Sequence, residues 1–251
     1  MAFKFTAPLA GILALALGAA AMAGDVPANI AAAVANTARP EAQRAADAHR
    51  HPAELLAFAG VKPGDRVSDF MMGGGYFTRI LSTAVGPTGK VYAYQAAEFI
   101  GFNPDYARMQ DEAATFAPNI VPVRFSLGAQ AFPEPLDLIL TAQNYHDLHL
   151  GQASPQQIAA INTQMFAALK PGGVLLVIDH SATDGTGSTL SNKLHRIDIA
   201  TVKSELAAAG FVLEAESSVL RNPADPRTAS VFDPSIRGKS DQFVLKFRKP
   251  A

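Results

Sequence analysis

The chain has 251 residues and a formal net charge of −1, and it contains no cysteine. The near-zero charge and the lack of a basic run disfavour a nucleic-acid partner, because binding to phosphates depends on clustered Lys and Arg. The absence of cysteine excludes thiolate metal sites and a cysteine nucleophile.

The first 23 residues have the pattern of a cleavable secretory signal. Lys4 lies near the start, an apolar run extends from about Leu9 to Ala23, and small residues fit a cleavage site before Gly24. A retained membrane anchor is the alternative, but the apolar run is short for a bilayer span, which needs about 20 residues. We therefore expect a periplasmic or secreted protein without stable membrane insertion after cleavage.

Residues 24–51 form a predicted N-terminal helical segment that Pro40 divides into two pieces. A further helix is predicted from Pro52, with Gly60 as its left-handed stop. Strands and helices then alternate. The predicted strand segments are 65–70, 86–95 (which opens with a glycine turn), 119–126, 135–143 and 171–180, and the predicted helical segments between them begin at Phe77 or span 103–117 and 154–170.

The last elements differ from this alternation. A helix is predicted over 192–210, and strands over 211–220 and 241–249. Because only the loop 221–239 joins these two strands, without a crossover helix, we expect them to be antiparallel, whereas the earlier strand-helix alternation indicates a parallel sheet. The sequence therefore predicts one doubly wound α/β domain, residues 52–251, with an antiparallel pair at one edge.

A glycine turn lies between the first strand and its helix. Gly73, Gly74 and Gly75 are consecutive there, and such a turn can present backbone N–H groups and a helix N-terminus to an anionic or nucleotide ligand. The dinucleotide pattern G-x-G-x-x-G is incomplete because Thr78 occupies its last glycine position, and the phosphate loop G-x-x-x-x-G-K-[ST] is absent. On these residues alone, a nucleotide site and a tight connection kept for packing both stay open.

Four segments taken together resemble class I S-adenosylmethionine-dependent methyltransferases: VSDFMMGGGYFT, LDLILTAQNYHD, LKPGGVLLVIDH and ELAAAGF. More narrowly, the chain is similar to a group of predicted exported methyltransferases whose glycine turn has a bulky residue, then Gly-Gly-Gly and an aromatic. The resemblance covers about residues 39–249. It implies a Rossmann-like seven-stranded sheet of order 3-2-1-4-5-7-6 with the last strand antiparallel, S-adenosylmethionine as cofactor, and methyl transfer to a small-molecule substrate.

The resemblance also implies a cofactor site by position. Asp69 matches the acid that ends the first strand, and Met71 stands where the first glycine of the turn is usual. Gln95 stands at the end of the second strand, where an acid usually holds both ribose hydroxyls. The cofactor-binding residues expected on this basis are Asp69, Gly73, Gly74, Gly75, Tyr76, Gln95 and Asn144.

Two histidines follow neighbouring strands of the predicted sheet. His146 comes after the fourth strand and His180 after the fifth, so we expect both, with Asp147, to flank the cofactor pocket at the carboxyl ends of the strands. We predict His146, Asp147 and His180 as catalytic residues, since an imidazole there could take a proton from an attacking oxygen or nitrogen. Histidines that cap loops, and a metal site of the same three residues, remain alternatives. No ligand spacing such as H-E-x-x-H occurs, so our prediction includes no metal.

Two further segments have open interpretations. In similar methyltransferases the N-terminal segment lies over the cofactor pocket, but it could equally be a solvated helix face; its candidate residues are Arg44, Asp47, His49, Arg50 and His51. The loop 221–239 is long for a compact domain, and its Arg221, Asn222 and Arg227 favour the hypothesis of a substrate-facing lid.

The sequence therefore supports two functions. The first is methyl transfer from S-adenosylmethionine to a small acceptor. The second is an exported, non-catalytic ligand-binding protein on a degenerate methyltransferase scaffold, because S-adenosylmethionine is made in the cytoplasm while the leader directs this chain out of it. A fold by itself does not decide between them.

Overall fold

The computed structural model of the protein describes residues 26–129, 131–151 and 153–251. The predicted signal segment, residues 1–23, lies outside the described residues. Within these ranges, no helix combines the length and the apolar composition that crossing a membrane requires.

Within the described ranges, seven strands form one sheet of order β3-β2-β1-β4-β5-β7-β6. The strands are β1 (Arg66–Phe70), β2 (Lys90–Tyr94), β3 (Ile120–Val123), β4 (Leu136–Ala142), β5 (Leu169–His180), β6 (Val212–Ser217) and β7 (Gln242–Arg248). The first five strands are parallel, and β7 pairs antiparallel with both β5 and β6. The predicted doubly wound Rossmann-like sheet, including its antiparallel last strand, is confirmed.

The helices follow the predicted alternation, but the structure adds a helix at Ala97–Phe102 and divides the N-terminal segment into three helices rather than two pieces. They are α1 (Ala28–Val34), α2 (Glu41–Ala45), α3 (Asp47–Arg50), α4 (Pro52–Ala59), α5 (Tyr76–Val85), α6 (Ala97–Phe102), α7 (Asp105–Ala114), α8 (Pro155–Ala168), α9 (Ser191–Leu194) and α10 (Ile199–Ala208), with a 3-10 helix at His146–His149. Local signals mark several ends: Gly60 closes α4 with a left-handed φ of 82°, and Ser154 and Gln157 form a capping box at the start of α8.

The prediction of one helix over residues 192–210 is wrong. The chain forms α9 and α10 instead, separated at His195, whose φ of 53° is left-handed. Asp198 starts the second helix by accepting a hydrogen bond from the N–H of Ala200. A tertiary contact accompanies the break, because Arg196 between the two helices is completely buried in an ion pair with Asp225. The helical pattern of the sequence does not contain this long-range contact.

Helices cover both faces of the sheet, and each face has its own buried cluster of apolar side chains. Alternate residues of β5 belong to different clusters, as the period of a strand requires: Leu176 packs in one and Leu175 in the other. Ile30 of α1 is fully buried in the first cluster together with Ile80 of α5. The N-terminal helical segment therefore shares its hydrophobic core with the sheet domain.

Buried ion pairs fix the long loop between β6 and β7. The Arg196 guanidinium lies 2.8 Å from Asp225 Oδ2, and both side chains are fully buried. Asp225 Oδ2 also accepts the N–H of Asp241 at 2.7 Å, and Asp241 Oδ2 lies 2.9 Å from Nε of Arg227. The loop predicted as a lid is thus anchored through its own aspartate and arginine side chains.

We expect Asp225→Asn to lower the free energy of unfolding by about 3 kcal/mol, because the Arg196 guanidinium would remain buried without its counter-charge. Glu216→Gln is the matched control: it removes a partially exposed partner of Lys203, 2.6 Å away, and should cost less than about 1 kcal/mol. Urea unfolding followed by circular dichroism measures both. Equal effects of the two changes would contradict the anchoring role of Asp225.

Candidate functional site

The turn after β1 begins with a residue in a strained backbone conformation. Met71 has a φ of 57° and is almost completely buried. A left-handed conformation costs an L-residue with a side chain roughly 1–2 kcal/mol, so methionine at this position is held by its surroundings. Met71 stands where the first glycine of the turn is usual. The backbone at this position adopts the conformation that glycine favours.

Asn144 holds this turn from the end of β4. Its side-chain amide donates hydrogen bonds to the carbonyl oxygens of Phe70 at 3.0 Å and Met71 at 2.9 Å, and its Oδ1 accepts from the Thr141 hydroxyl. Asn144, expected to bind the cofactor, thus ties the end of β4 to the end of β1. Asn144 also lines the cavity that opens beside the turn.

Gln95 connects the glycine turn to β2. Its Oε1 accepts the N–H of Gly73 at 3.3 Å, while its Nε2 makes no hydrogen bond with any described residue. The side chain is buried but lines the cavity described next. Gln95 therefore offers a free donor to a ligand, while its oxygen already accepts one of the two hydrogen bonds that it can make.

A cavity of about 470 Å³ opens beside the turn, at the carboxyl ends of β1, β2 and β4. This volume lies in the usual range for small-molecule sites. A Cβ built at Gly73 or Gly74 would meet no atom within 4 Å, so these two glycines adjoin open space. A Cβ at Gly75 would lie 2.8 Å from that of Ala113, which makes Gly75 a packing position. The predicted site residues that line the cavity are Asp69, Gly73, Gly74, Tyr76, Gln95, Asn144 and Asp147.

The N-terminal segment lies over this cavity. Its helices therefore do not form a solvated face only, which was the other interpretation of the sequence. Gln43 donates a hydrogen bond from Nε2 to the Gly74 carbonyl at 3.0 Å. The Tyr76 hydroxyl donates to Asp47 at 2.6 Å, and Arg39 pairs with both oxygens of the same carboxylate at 2.7 and 2.9 Å. These bonds hold helices α2 and α3 against the turn.

Arg50 is the cation of the cavity wall. Its guanidinium carbon lies 4.1 Å from the ring centroid of Tyr76 and 5.1 Å from that of Phe77. Among the described residues it has no hydrogen-bond or ion-pair partner. Burial lowers the pKa of Arg50, and the nearby Tyr76 and Asp69 oppose that shift. A guanidinium held by aromatic rings with its donors unused is suited to bind an anionic group.

Asp69 contributes a carboxyl group to the same cavity. When this group is ionised, its burial lowers the stability of the folded protein. Burial raises the pKa of its carboxyl group to about 6, although a hydrogen bond from Thr78 and the charge of Arg50 act in the opposite direction. The Thr78 hydroxyl donates to Asp69 Oδ2 at 2.6 Å. A positively charged group of a ligand would stabilise the ionised carboxylate.

A cluster of histidines and aspartates adjoins the cavity at Asp147. Nδ1 of His146 lies 2.8 Å from Asp179 Oδ1, and its Nε2 lies 3.2 Å from Asp147 Oδ1. The same Nε2 lies 3.2 Å from Nδ1 of His195. Burial acts to lower the pKa of His146, but the two carboxylates outweigh it and raise that pKa to about 10.

The predicted catalytic residues occupy different places relative to the cavity. Asp147 lines it, and His146 lies directly behind Asp147. His180 does not line it: its Nδ1 lies 2.7 Å from the Ser240 hydroxyl, and burial lowers its pKa to about 4. The structure therefore brings two of the three residues to one end of the cavity.

Sequence reasoning missed His195, which the structure places in this cluster. The helix predicted over residues 192–210 places His195 in its interior, whereas in the structure His195 lies in the break between α9 and α10. The signal that could have found it is Asp198, since an aspartate three residues later is a favoured start for a new helix.

Comparisons with known proteins establish the fold. No protein-family model and no curated protein matches the chain. Among solved structures, it is similar to an S-adenosylmethionine-dependent methyltransferase from Aquifex aeolicus (TM-score 0.55, 21% identity, covering 78% of this chain and 88% of that one). It is also similar to N-methyltransferase NodS from Bradyrhizobium japonicum (0.54, 15%, 82% and 98%) and to a protein from Bordetella parapertussis described as a possible exported protein (0.55, 16%, 82% and 68%). The chain has the class I methyltransferase fold.

We expect Asp69→Asn to stabilise the protein at pH 8 by up to about 3 kcal/mol relative to the parent and to have little effect at pH 4. The folded-state pKa lies above that of the unfolded chain, so stability from protonated Asp69 is complete below the unfolded value of about 3.9 and is lost as the pH rises through about 6. Urea unfolding across this range measures the difference. Asp111→Asn, at an exposed carboxylate, is the control; a constant difference between parent and Asp69→Asn at every pH would contradict the account.

Proposed function

We propose that this protein is an S-adenosylmethionine-dependent methyltransferase that acts on a small-molecule acceptor. The observation that carries the proposal is the cavity at the carboxyl ends of β1 and β2, with Gly73 and Gly74 adjoining open space. In an open α/β sheet this is where ligands bind. The similar structures that are described as methyltransferases support the assignment of this cavity to the cofactor.

The charges of the cavity wall match the amino-acid part of S-adenosylmethionine. That part carries a carboxylate and an ammonium group, and Arg50 and Asp69 provide the opposite charges in one cavity. Each pair would be a charge-assisted interaction in a partly desolvated site. On the ribose side, the unused Nε2 donor of Gln95 can bond a hydroxyl. The residues present therefore fit this cofactor without the usual acid at the end of β2.

The acceptor belongs at the Asp147 end of the cavity. When bound, S-adenosylmethionine supplies an electrophilic methyl group on its sulfonium. The protein has to hold the acceptor in line and receive its proton. Asp147 is the predicted catalytic residue that faces the cavity, and His146 orients it through Nε2 at 3.2 Å. We assign the proton-accepting role to the Asp147 carboxylate, with His146 as its positioning residue and the His180 ring 6.0 Å behind that of His146.

Export forms part of the proposal. The predicted cleavable leader directs the chain to the periplasm or the exterior, and the similar Bordetella parapertussis protein is described as a possible exported protein. The mature protein would therefore meet acceptors of the cell envelope or its surroundings.

A specific observation favours the second candidate, an exported ligand-binding protein without catalysis. Gln95 is a neutral amide whose oxygen already accepts one hydrogen bond, from Gly73, so the charge-assisted bonds that an acid would make with the ribose hydroxyls are missing. An acid-free site of this kind would bind the nucleoside more weakly, by on the order of 1–2 kcal/mol. Such a site could serve a different small molecule.

We expect S-adenosylhomocysteine, the demethylated cofactor, to bind with one-to-one stoichiometry in isothermal titration calorimetry. Arg50→Met should weaken binding roughly ten- to one-hundred-fold, because a charge-assisted bond is lost while the contact with Tyr76 is kept. Arg108→Met, at an exposed arginine on α7, should leave the affinity unchanged. No heat at high micromolar ligand would refute the cofactor assignment.

Native mass spectrometry of the protein purified from its own cell envelope distinguishes the two candidate functions. For the methyltransferase, we expect the protein to retain a bound molecule with the mass of S-adenosylmethionine or of its demethylated product. Retention of an unrelated small molecule would instead favour the binding protein.

A further inference from the structure

We propose a divalent transition-metal site formed by His146, Asp147 and His195 at the acceptor end of the cavity. The site stands on the geometry of these three side chains, and only its part in the reaction rests on the proposed function. It differs from the metal alternative raised by the sequence, because His195 takes the place of His180.

The three ligand atoms form a compact triangle. Nε2 of His146 lies 3.2 Å from Nδ1 of His195 and 3.2 Å from Oδ1 of Asp147, and the third side, from His195 to Asp147, is 3.8 Å. Two atoms bound at about 2.1 Å to one ion are separated by about 3.0 Å at a right angle and about 3.4 Å at a tetrahedral angle. Two sides of the triangle lie within this range. The third needs a closure of a few tenths of an ångström.

The hydrogen bonds around the triangle hold its three ligand atoms close together. Nδ1 of His146 faces the Asp179 carboxylate at 2.8 Å, so the ring donates a proton there, and a metal ion that displaces the proton on Nε2 meets a lone pair at that atom. That lone pair faces the Asp147 carboxylate and the ring nitrogen of His195. A single proton at Nε2 can serve one of these two neighbours, whereas a cation bonds to all three atoms at once.

The surroundings orient the ligands as a metal site requires. Asp179 is fully buried and is fixed by the backbone N–H groups of His146 and His180, each at 2.7 Å. A carboxylate that holds the far nitrogen of a ligating histidine is a common outer-shell partner, since it fixes the tautomer and the ring orientation. His195 is positioned by its left-handed backbone and by the Phe232 ring, whose centroid is 4.7 Å away.

The donor set indicates the class of ion and its chemistry. Two imidazoles and one carboxylate suit zinc, iron(II), manganese(II) or cobalt(II), whereas magnesium and calcium prefer oxygen ligands only. Three protein ligands leave coordination positions open, and one of the three, Asp147, lines the cavity. A divalent ion there would bind an acceptor through oxygen and lower the pKa of its hydroxyl group. The Asp147 oxygen that the ion leaves free would receive the proton. With such a site, the proposed acceptor is a small molecule that carries a hydroxyl group.

Metal titration of the mature protein, without a histidine tag and after chelation, tests the site. We expect zinc to bind with one-to-one stoichiometry in calorimetry and cobalt(II) to give the visible spectrum of a nitrogen- and oxygen-ligated ion, both without S-adenosylmethionine. His195→Asn and Asp147→Asn should each weaken zinc binding at least ten-fold. Asparagine tolerates the left-handed conformation of residue 195, so the first variant keeps the fold, which circular dichroism verifies.

His149→Gln is the matched control, since His149 bonds Glu205 outside the triangle at 3.2 Å; it should leave zinc affinity unchanged. No saturable binding, or binding that survives both ligand variants, would overturn the site. Titration of the chelated protein with S-adenosylhomocysteine separates the two proposals. Binding of that ligand without zinc binding overturns the metal site alone, and zinc binding without that ligand supports the site while refuting the proposed function.

Discussion

The two hydrogen bonds from the Asn144 amide to the carbonyl oxygens of Phe70 and Met71 are the constraint on which the site depends. They hold Met71 in a backbone conformation that methionine does not favour. With the turn fixed there, Gly73 and Gly74 adjoin open space. Asn144 also contacts the 3-10 helix, because its backbone carbonyl accepts the N–H of Asp147 at 3.2 Å.

The cavity carries features that cost stability, and this pattern is typical of binding sites. A buried carboxylate at Asp69 and an arginine at Arg50 without a protein partner are both unfavourable in an empty cavity. A zwitterionic ligand would offset both at once, since it provides a positive and a negative group. A turn kept only for packing would have no need of either charge, which is why the electrostatics of the wall favour a ligand site over a structural relic.

Local signals in the sequence predicted the alternation of strands and helices and the place of the glycine turn, because the stop at Gly60 and the capping box at Ser154 act within a few residues. The order of the strands followed from the resemblance to methyltransferases. The architecture of the histidine cluster was not predictable in the same way. The position of His195 depends on the burial of Arg196 against Asp225, which lies far along the chain. The contact of His180 with Ser240 is equally non-local. The hydrophobic periodicity of a sequence predicts single helices and strands, so it does not predict the contacts between them.

A crystal structure of the protein saturated with S-adenosylhomocysteine tests the central claim most directly, since it observes the turn, the charges and the ligand together. The account predicts density for the nucleoside against Gly73 and Gly74, with the ribose beside Gln95 and the carboxylate at Arg50. A cavity without ligand density under saturating conditions, or the ligand bound at another place on the protein, would contradict it.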